Sequence, residues 1–304
     1  MRIFITGASG WIGKELVPEL LHHGHSVLAL ARSPLSAQSL RDQGAEIVQG
    51  SISDIEVLKS SAAASDAVIH LAFVANFENM AEDCATERAA LQAMADGMQG
   101  TDNPLIMTTG TFSVADFGGK RGGRVADEET DSVRDVPPFS VRTATEDFVL
   151  ELSDTMGVRG MIVRPAPTVH GKGDDKFMFW FAELAKKNGR AVYVGDAKVR
   201  WPAVHVKDAA VAFRLAVEKG RARGVYHVVN EGAVEMKVIM EKIAEKVGVP
   251  VESVSLAEAT QAMGKLGNLI ALDDPVSSEK TRRELGWKPK ELGLLDDLEQ
   301  NYVL

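Results

Sequence analysis

A chain of 304 residues with 45% hydrophobic and 25% charged side chains has the make-up of a globular protein, either one large domain or a domain with an appended lobe, which excludes a disordered or fibrous chain. Its formal charge of −9 disfavours nucleic acid or an anionic membrane as the main partner, and no apolar run reaches the roughly 18–20 residues that span a bilayer. The one cysteine, Cys84, excludes an intrachain disulfide and a cysteine-built metal site; with no metal expected and no signal-peptide pattern at the N-terminus, the chain reads as cytoplasmic.

Short β-branched runs at residues 3–6, 26–31, 46–48, 67–71, 105–108 and 159–163 alternate with amphipathic helical patterns. That rhythm predicts an α/β fold, a Rossmann doubly wound parallel sheet in the order 3-2-1-4-5-6 with helices on both faces. Residues 112–138 break it, because paired glycines at 118–119 and 122–123, acids at 127–129 and Pro137-Pro138 oppose regular structure. A loop of that length in a compact protein reads as a lid. Beyond 163 the pattern is mixed: a helix near 177–187, a strand at 191–194, a helix near 208–219, a strand at 225–228, then several helices from 234 to 304. The expected division is a dinucleotide-binding domain over 1–167, to which 206–230 returns, and a smaller, mostly helical substrate lobe built from 168–205 and 231–304.

The most informative segment is Thr6-Gly7-Ala8-Ser9-Gly10-Trp11-Ile12-Gly13, between the first strand and a helix running to about His22. Gly7 permits the tight turn, Gly10 lets backbone N–H groups approach a diphosphate, and Gly13 lets the helix pack closely on the sheet. The diphosphate would sit on the positive helix N-terminus. This placement favours a dinucleotide over a bare glycine turn. At the end of the second strand, where an acid would hold the ribose hydroxyls of NAD(H), the chain reads Ala31-Arg32-Ser33. Arg32 offers a guanidinium fork for a 2′-phosphate and Ser33 a second donor, so NADP(H) is favoured over NAD(H), unless Arg32 is simply a solvated strand-end charge.

Further segments occur in a fixed order: Val68-Ile69-His70-Leu71-Ala72, Met107-Thr108-Thr109-Gly110, Arg164-Pro165-Ala166-Pro167-Thr168-Val169-His170-Gly171, residues 201–210 and residues 283–289. With the glycine turn, this series resembles the extended short-chain dehydrogenase/reductase superfamily, the NAD-dependent epimerase/dehydratase group. The resemblance implies cofactor contacts at Gly7, Ser9, Gly10, Trp11, Ile12 and Gly13, and beside the cofactor at Leu71, Ala72, Phe73 and Thr108. Pro165, Ala166, Pro167 and Val169 would border the nicotinamide. Ser51 and Ile52 stand where the family commonly has an acid that recognises adenine, so Ser51 offers a weaker contact. The resemblance makes Thr109 the hydroxyl that polarises a carbonyl, with Thr111 as the alternative.

The family's catalytic Tyr and Lys, four residues apart on one helix, are missing. Arg142 and Glu146 take their places, and sliding the frame to Phe139 and Thr143 restores neither. Arginine is a poor proton donor and a carboxylate cannot replace the lysine's charge; Arg142 and Glu146 could instead form an i,i+4 surface pair. His170 and His205 are the candidate donors, each with packing as its alternative, and Tyr193 is weaker. The function expected is an NADP(H)-dependent oxidoreductase acting on a small carbonyl or activated double bond. A catalytically weak NADP(H)-binding redox sensor and a sugar-nucleotide epimerase/dehydratase are the alternatives, the latter weakened by the missing Tyr. Phe177, Phe179, Trp180 and Trp201 suggest an apolar or aromatic small-molecule substrate, unless they are core, and a homodimer is the expected assembly.

Overall fold

The structure, a computed structural model, describes residues 1–73 and 79–304. In chain order the nucleotide half runs β1 (Arg2–Thr6), α1 (Trp11–His22), β2 (Ser26–Ala31), α2 (Pro34–Asp42), β3 (Glu46–Gln49), α3 (Ile55–Ala63), β4 (Ala67–His70), α4 (Met80–Gly97), β5 (Pro104–Thr108), α5 (Phe139–Met156) and β6 (Arg159–Pro165). There follow β7 (Thr168–His170), α6 (Phe177–Asn188), β8 (Ala191–Val194), β9 (Arg200–His205), α7 (Val206–Lys219), β10 (Val225–Val228), β11 (Glu231–Glu235), α8 (Met236–Val247) and β12 (Val251–Val254). Four helices complete the chain: α9 (Leu256–Met263), α10 (Lys265–Leu269), α11 (Glu279–Leu285) and α12 (Leu294–Asn301). The main sheet is parallel throughout and ordered β3-β2-β1-β4-β5-β6-β10, the expected order with one strand added.

The sheet is buried on both faces, so its strands read as apolar runs and their alternate residues serve different layers. Ile3, Ile5, Ala29, Ile69 and Val163 join α1, α2 and α7 in one core; Phe4, Leu28, Val68, Met107 and Ile162 join α3, α4 and α5 in the other. A third core fills the smaller lobe, around α6, α8 and the aromatic Trp201.

Helices α6 and α8–α12 make up most of the lobe, as expected, with short strands beside them. The lobe holds a two-stranded β12-β8 pair, and a β11-β9-β7 sheet adjoins it. β7 and β12 are too short for periodicity to show. β9 contains Pro202, which argues against a central strand. The structure accommodates it because the β11 register slips between Glu231 and Val234, opposite the missing N–H. The expected lobe also included 279–291, yet Leu285 and Trp287 pack into the core of the large sheet. Trp287 Nε1 donates to Asp208 O (3.0 Å), and the Asp208 carboxylate accepts from the amides of Lys290 and Glu291.

The segment expected to be a lid is fastened instead. After two short 3-10 turns it forms a parallel bridge between Ala126 and Val276. The amide of Asp116 donates to Asp273 O, and the buried Glu128 carboxylate takes both the amide and the hydroxyl of Thr281. Among the described residues no helix is long and apolar enough to cross a membrane.

Candidate active site

The turn between β1 and α1 is built for close approach. Gly7 has φ +74°, and a Cβ there would lie 2.7 Å from the Ala72 amide nitrogen; a Cβ on Gly13 would lie 2.4 Å from Ala8 O. Only glycine meets both demands, the left-handed backbone and the tight helix seat. The Gly10 amide closes the turn on Gly7 O at 2.9 Å, and Gly10 starts α1 without a side-chain cap. The first N–H groups of α1, at Trp11, Ile12 and Gly13, are therefore left for an anion. Trp11 Nε1 donates to Val169 O (2.8 Å), tying this turn to the segment after β6. Thr6 Oγ1 shares a hydrogen bond with His70 Nδ1 (2.8 Å) and accepts the Ala72 amide, which holds the ends of β1 and β4 together.

A cleft of about 730 Å³ opens in front of this turn. Its walls are Gly7, Ser9 and Gly10, then Arg32 and Ser33 after β2, Ser51 and Ile52 after β3, and Leu71, Ala72 and Phe73 after β4. Sequence reasoning missed Ser36, Ser53 and Thr86, which also line it. Ser36 had a signal: it is the third residue of α2 and completes a capping box with Ser33. The Arg32 carbonyl accepts from Gln49 Nε2 (2.9 Å), while its guanidinium has no partner among the described residues. Ser51 is turned to local work, its amide donating to Asp54 Oδ2 (2.6 Å) and its hydroxyl accepting from the Ser53 amide.

At the ends of β5 and β6 the structure assembles a buried ionic network in place of a surface pair. Arg142 and Glu146 do not bond to each other, and both are largely buried. Arg142 pairs with Glu87 of α4, donates to Thr108 O (2.6 Å) and lies over the Phe73 ring, 3.7 Å from its centre. Burial pushes its guanidinium down to about 10, so it remains a cation at neutral pH. Glu146 Oε1 accepts from Thr109 Oγ1 (2.6 Å), Ser113 Oγ (2.8 Å) and Arg164 Nε (3.1 Å), and Oε2 from Arg164 Nη2 (2.5 Å). Burial alone would raise this carboxyl, but Arg164 and the hydroxyls outweigh it and hold it below the usual glutamate value.

The network constrains Thr109. A hydroxyl carries one proton, and here it goes to a carboxylate, so toward a substrate Thr109 presents lone pairs. Thr111 is committed likewise, donating to Asp274 Oδ2 (2.5 Å). The Thr108 hydroxyl is buried with no partner among the described residues. Pro165 ends β6 beside this group, and the Ala166 amide donates to Val228 O (3.2 Å), fixing the approach to Pro167.

His170 and His205 lie together elsewhere, at the junction of β7, β9 and α7 with α12. His170 Nδ1 bonds to Asp297 Oδ2 (2.7 Å), and its ring meets His205 edge to face at 5.4 Å. His205 caps α7 by accepting the Lys207 amide, and burial depresses its pKa. Neither lines the cleft. Tyr193 packs against the lobe core. Trp201 is fully buried and donates to Leu272 O, with Phe177 and Phe112 against it at 5.2 and 5.3 Å, whereas Phe179 and Trp180 are exposed. Phe112 and its neighbours Phe117 and Phe139 were not anticipated as part of this aromatic group.

Residues 3–232 match the NAD dependent epimerase/dehydratase family. The chain is 42% identical over 306 aligned residues to the uncharacterized protein YLL056C of Saccharomyces cerevisiae, covering 100% of both. It is 26% identical to the sterol-4-alpha-carboxylate 3-dehydrogenase, decarboxylating, of Dictyostelium discoideum, over 89% of this chain and 84% of that one. Its fold is similar to that of the Thermus thermophilus UDP-glucose 4-epimerase solved with NAD, at a TM-score of 0.77 and 20% identity, covering 99% of this chain and 97% of that one. A match over most of the length, on a chain whose sheet order and glycine turn agree with it, settles the lineage: this protein belongs to the NAD-dependent epimerase/dehydratase family.

Proposed function

We propose that the chain is an NADP(H)-dependent oxidoreductase that reduces a carbonyl or activated double bond in a small, largely apolar molecule. The observation that carries the cofactor choice is the Arg32 guanidinium in the wall of the cleft, without a partner among the described residues, beside Ser33 and Ser36, at a strand end that lacks an acid. The glycine turn fits the diphosphate: any Cβ at Gly7 would enter the space its backbone needs, and the first amides of α1 are uncapped. Gly7, Ser9, Gly10 and Trp11 would hold the diphosphate, and Leu71, Ala72 and Phe73 the inner end.

Bound there, a nicotinamide supplies the hydride. The chain's own part is to steady negative charge on the substrate oxygen. Arg142 is suited to it, being a cation fixed by Glu87, Thr108 O and the Phe73 face at the position where the family has its tyrosine. Thr109 positions the substrate by accepting a hydrogen bond, since Glu146 holds its proton. With no titrating donor at this place among the described residues, the proton that completes the product comes from solvent. A relative named as a dehydrogenase supports redox turnover over epimerisation.

The test is a pair of titrations, NADPH and NADH, followed by tryptophan fluorescence in wild type and Arg32→Ala. Charged hydrogen bonds to the extra phosphate predict about tenfold or greater preference for NADPH. Arg32→Ala should remove most of it. Equal affinities in the wild type would defeat the cofactor assignment.

A further inference from the structure

A dinucleotide laid along the cleft has its parts placed by the strand ends beneath it. In the order β3-β2-β1-β4, the diphosphate meets the turn after β1 and the adenosine ribose the end of β2, so the purine base falls beyond them, past the end of β3. Ser51, Ile52 and Ser53 follow β3, and all three line the cleft. Apart from Arg32, every polar side chain in the wall among the described residues is a hydroxyl: Ser9, Ser33, Ser36, Ser51, Ser53 and Thr86. The acid of the same turn, Asp54, is not in the wall; its Oδ2 accepts the Ser51 amide at 2.6 Å.

The bonding at Ser51 decides what the base meets. A hydroxyl has one proton and two lone pairs. Ser51 Oγ spends one lone pair on the Ser53 amide (3.2 Å) and has no other hydrogen-bond partner among the described residues, so it keeps its proton and its second pair. Toward a purine it can accept from an amine or donate to a carbonyl, whereas a carboxylate can only accept. The Ile52 amide, also without a partner among the described residues, is a fixed donor in the same wall. Each base therefore finds both partners. A 6-aminopurine gives N6–H to Ser51 and takes the Ile52 N–H on N1; a 6-oxopurine takes that N–H on O6 and gives N1–H to Ser51.

We infer that the cleft does not select the 6-substituent of the purine: Ser51 sets the base specificity and lets adenine and hypoxanthine dinucleotides bind alike. A carboxylate at this position makes the wall acceptor-only there, favouring N6–H and repelling O6. The inference rests on the proposed nicotinamide cofactor for the identity of the ligand, but not on its 2′-phosphate, which belongs to Arg32 on the neighbouring strand end.

The probes are NADPH, NADH and the two matching dinucleotides in which hypoxanthine replaces adenine, each titrated calorimetrically into the full chain. Wild type should bind each adenine dinucleotide within about threefold of its hypoxanthine counterpart. Ser51→Asp should favour adenine by about tenfold or more, the worth of a hydrogen bond to a charged group. Ser51→Asn, close to Asp in size but able to donate or accept, should stay within about threefold, which separates the change of chemistry from a disturbed turn. A wild-type ratio beyond threefold in either direction, a Ser51→Asp ratio equal to that of wild type, or a Ser51→Asn ratio equal to that of Ser51→Asp would each overturn the inference. Were Ser51→Asp not to fold, the wild-type ratio would still decide. The two readings fail separately. Equal affinity for NADPH and NADH, with adenine and hypoxanthine still alike, defeats the 2′-phosphate assignment and leaves the Ser51 inference standing; a strong adenine preference with NADPH still favoured does the reverse. Binding of none of the four overturns both.

Discussion

The buried Glu146–Arg164 pair gives the sharpest test of the site, through Glu146→Gln. Gln has nearly the shape of Glu and can still accept from Thr109 and Ser113, but it leaves the Arg164 guanidinium, 3% exposed, without its counter-charge. Removing one partner of such a pair costs about 3–5 kcal/mol. At ~2 °C per kcal/mol, the scale for a large domain, the melting temperature should fall by roughly 6–10 °C. The pH dependence has a definite sign. The folded carboxyl sits below its ordinary value of 4.5, so the stability it contributes is complete above that value and is lost as pH falls through the lower folded one. Melting curves by circular dichroism at pH 7.5, 5.5 and 4 should therefore show a constant gap between wild type and variant at the first two, and a narrower gap at the last. A gap below about 2 °C at pH 7.5, or one that widens in acid, would show that Glu146 does not hold Arg164 as an ion pair.

Two further outcomes follow from the same geometry. Gly13→Ala puts a Cβ within 2.4 Å of the Ala8 carbonyl oxygen, which forces α1 off the turn. NADPH affinity measured by fluorescence should drop about tenfold or more, a shift of at least ~1.4 kcal/mol, and unchanged affinity would separate the turn from the cofactor. Thr109→Val removes the hydroxyl that positions the substrate, so NADPH consumption with a responsive carbonyl compound should fall by about a hundredfold. Thr109→Ser should keep most of it, and equal rates for Val and wild type would remove Thr109 from the site.

The legible parts of this molecule are those governed by near neighbours in sequence. β1 and β4 announce themselves because each has three consecutive buried apolar residues, Ile3–Ile5 and Ala67–Ile69, and the glycine turn because Gly7, Gly10 and Gly13 answer backbone demands within one turn. The partners of Arg142 and Glu146 lie in other elements, Glu87 on α4 and Arg164 on β6, and no local pattern specifies such pairing. A signal was nevertheless present. Cys84, Glu87, Leu91 and Met94 fall on one buried stripe of α4, and Glu146 shares a buried face of α5 with Val149. A carboxylate at a helical core position is expensive unless a cation meets it there. Two such carboxylates, read together with an arginine four residues before one of them, imply an inward-facing charge network and not a solvated surface. That periodicity argument, applied to charged residues as strictly as to apolar ones, reaches the burial of the site from sequence, though not the choice of which arginine each acid takes.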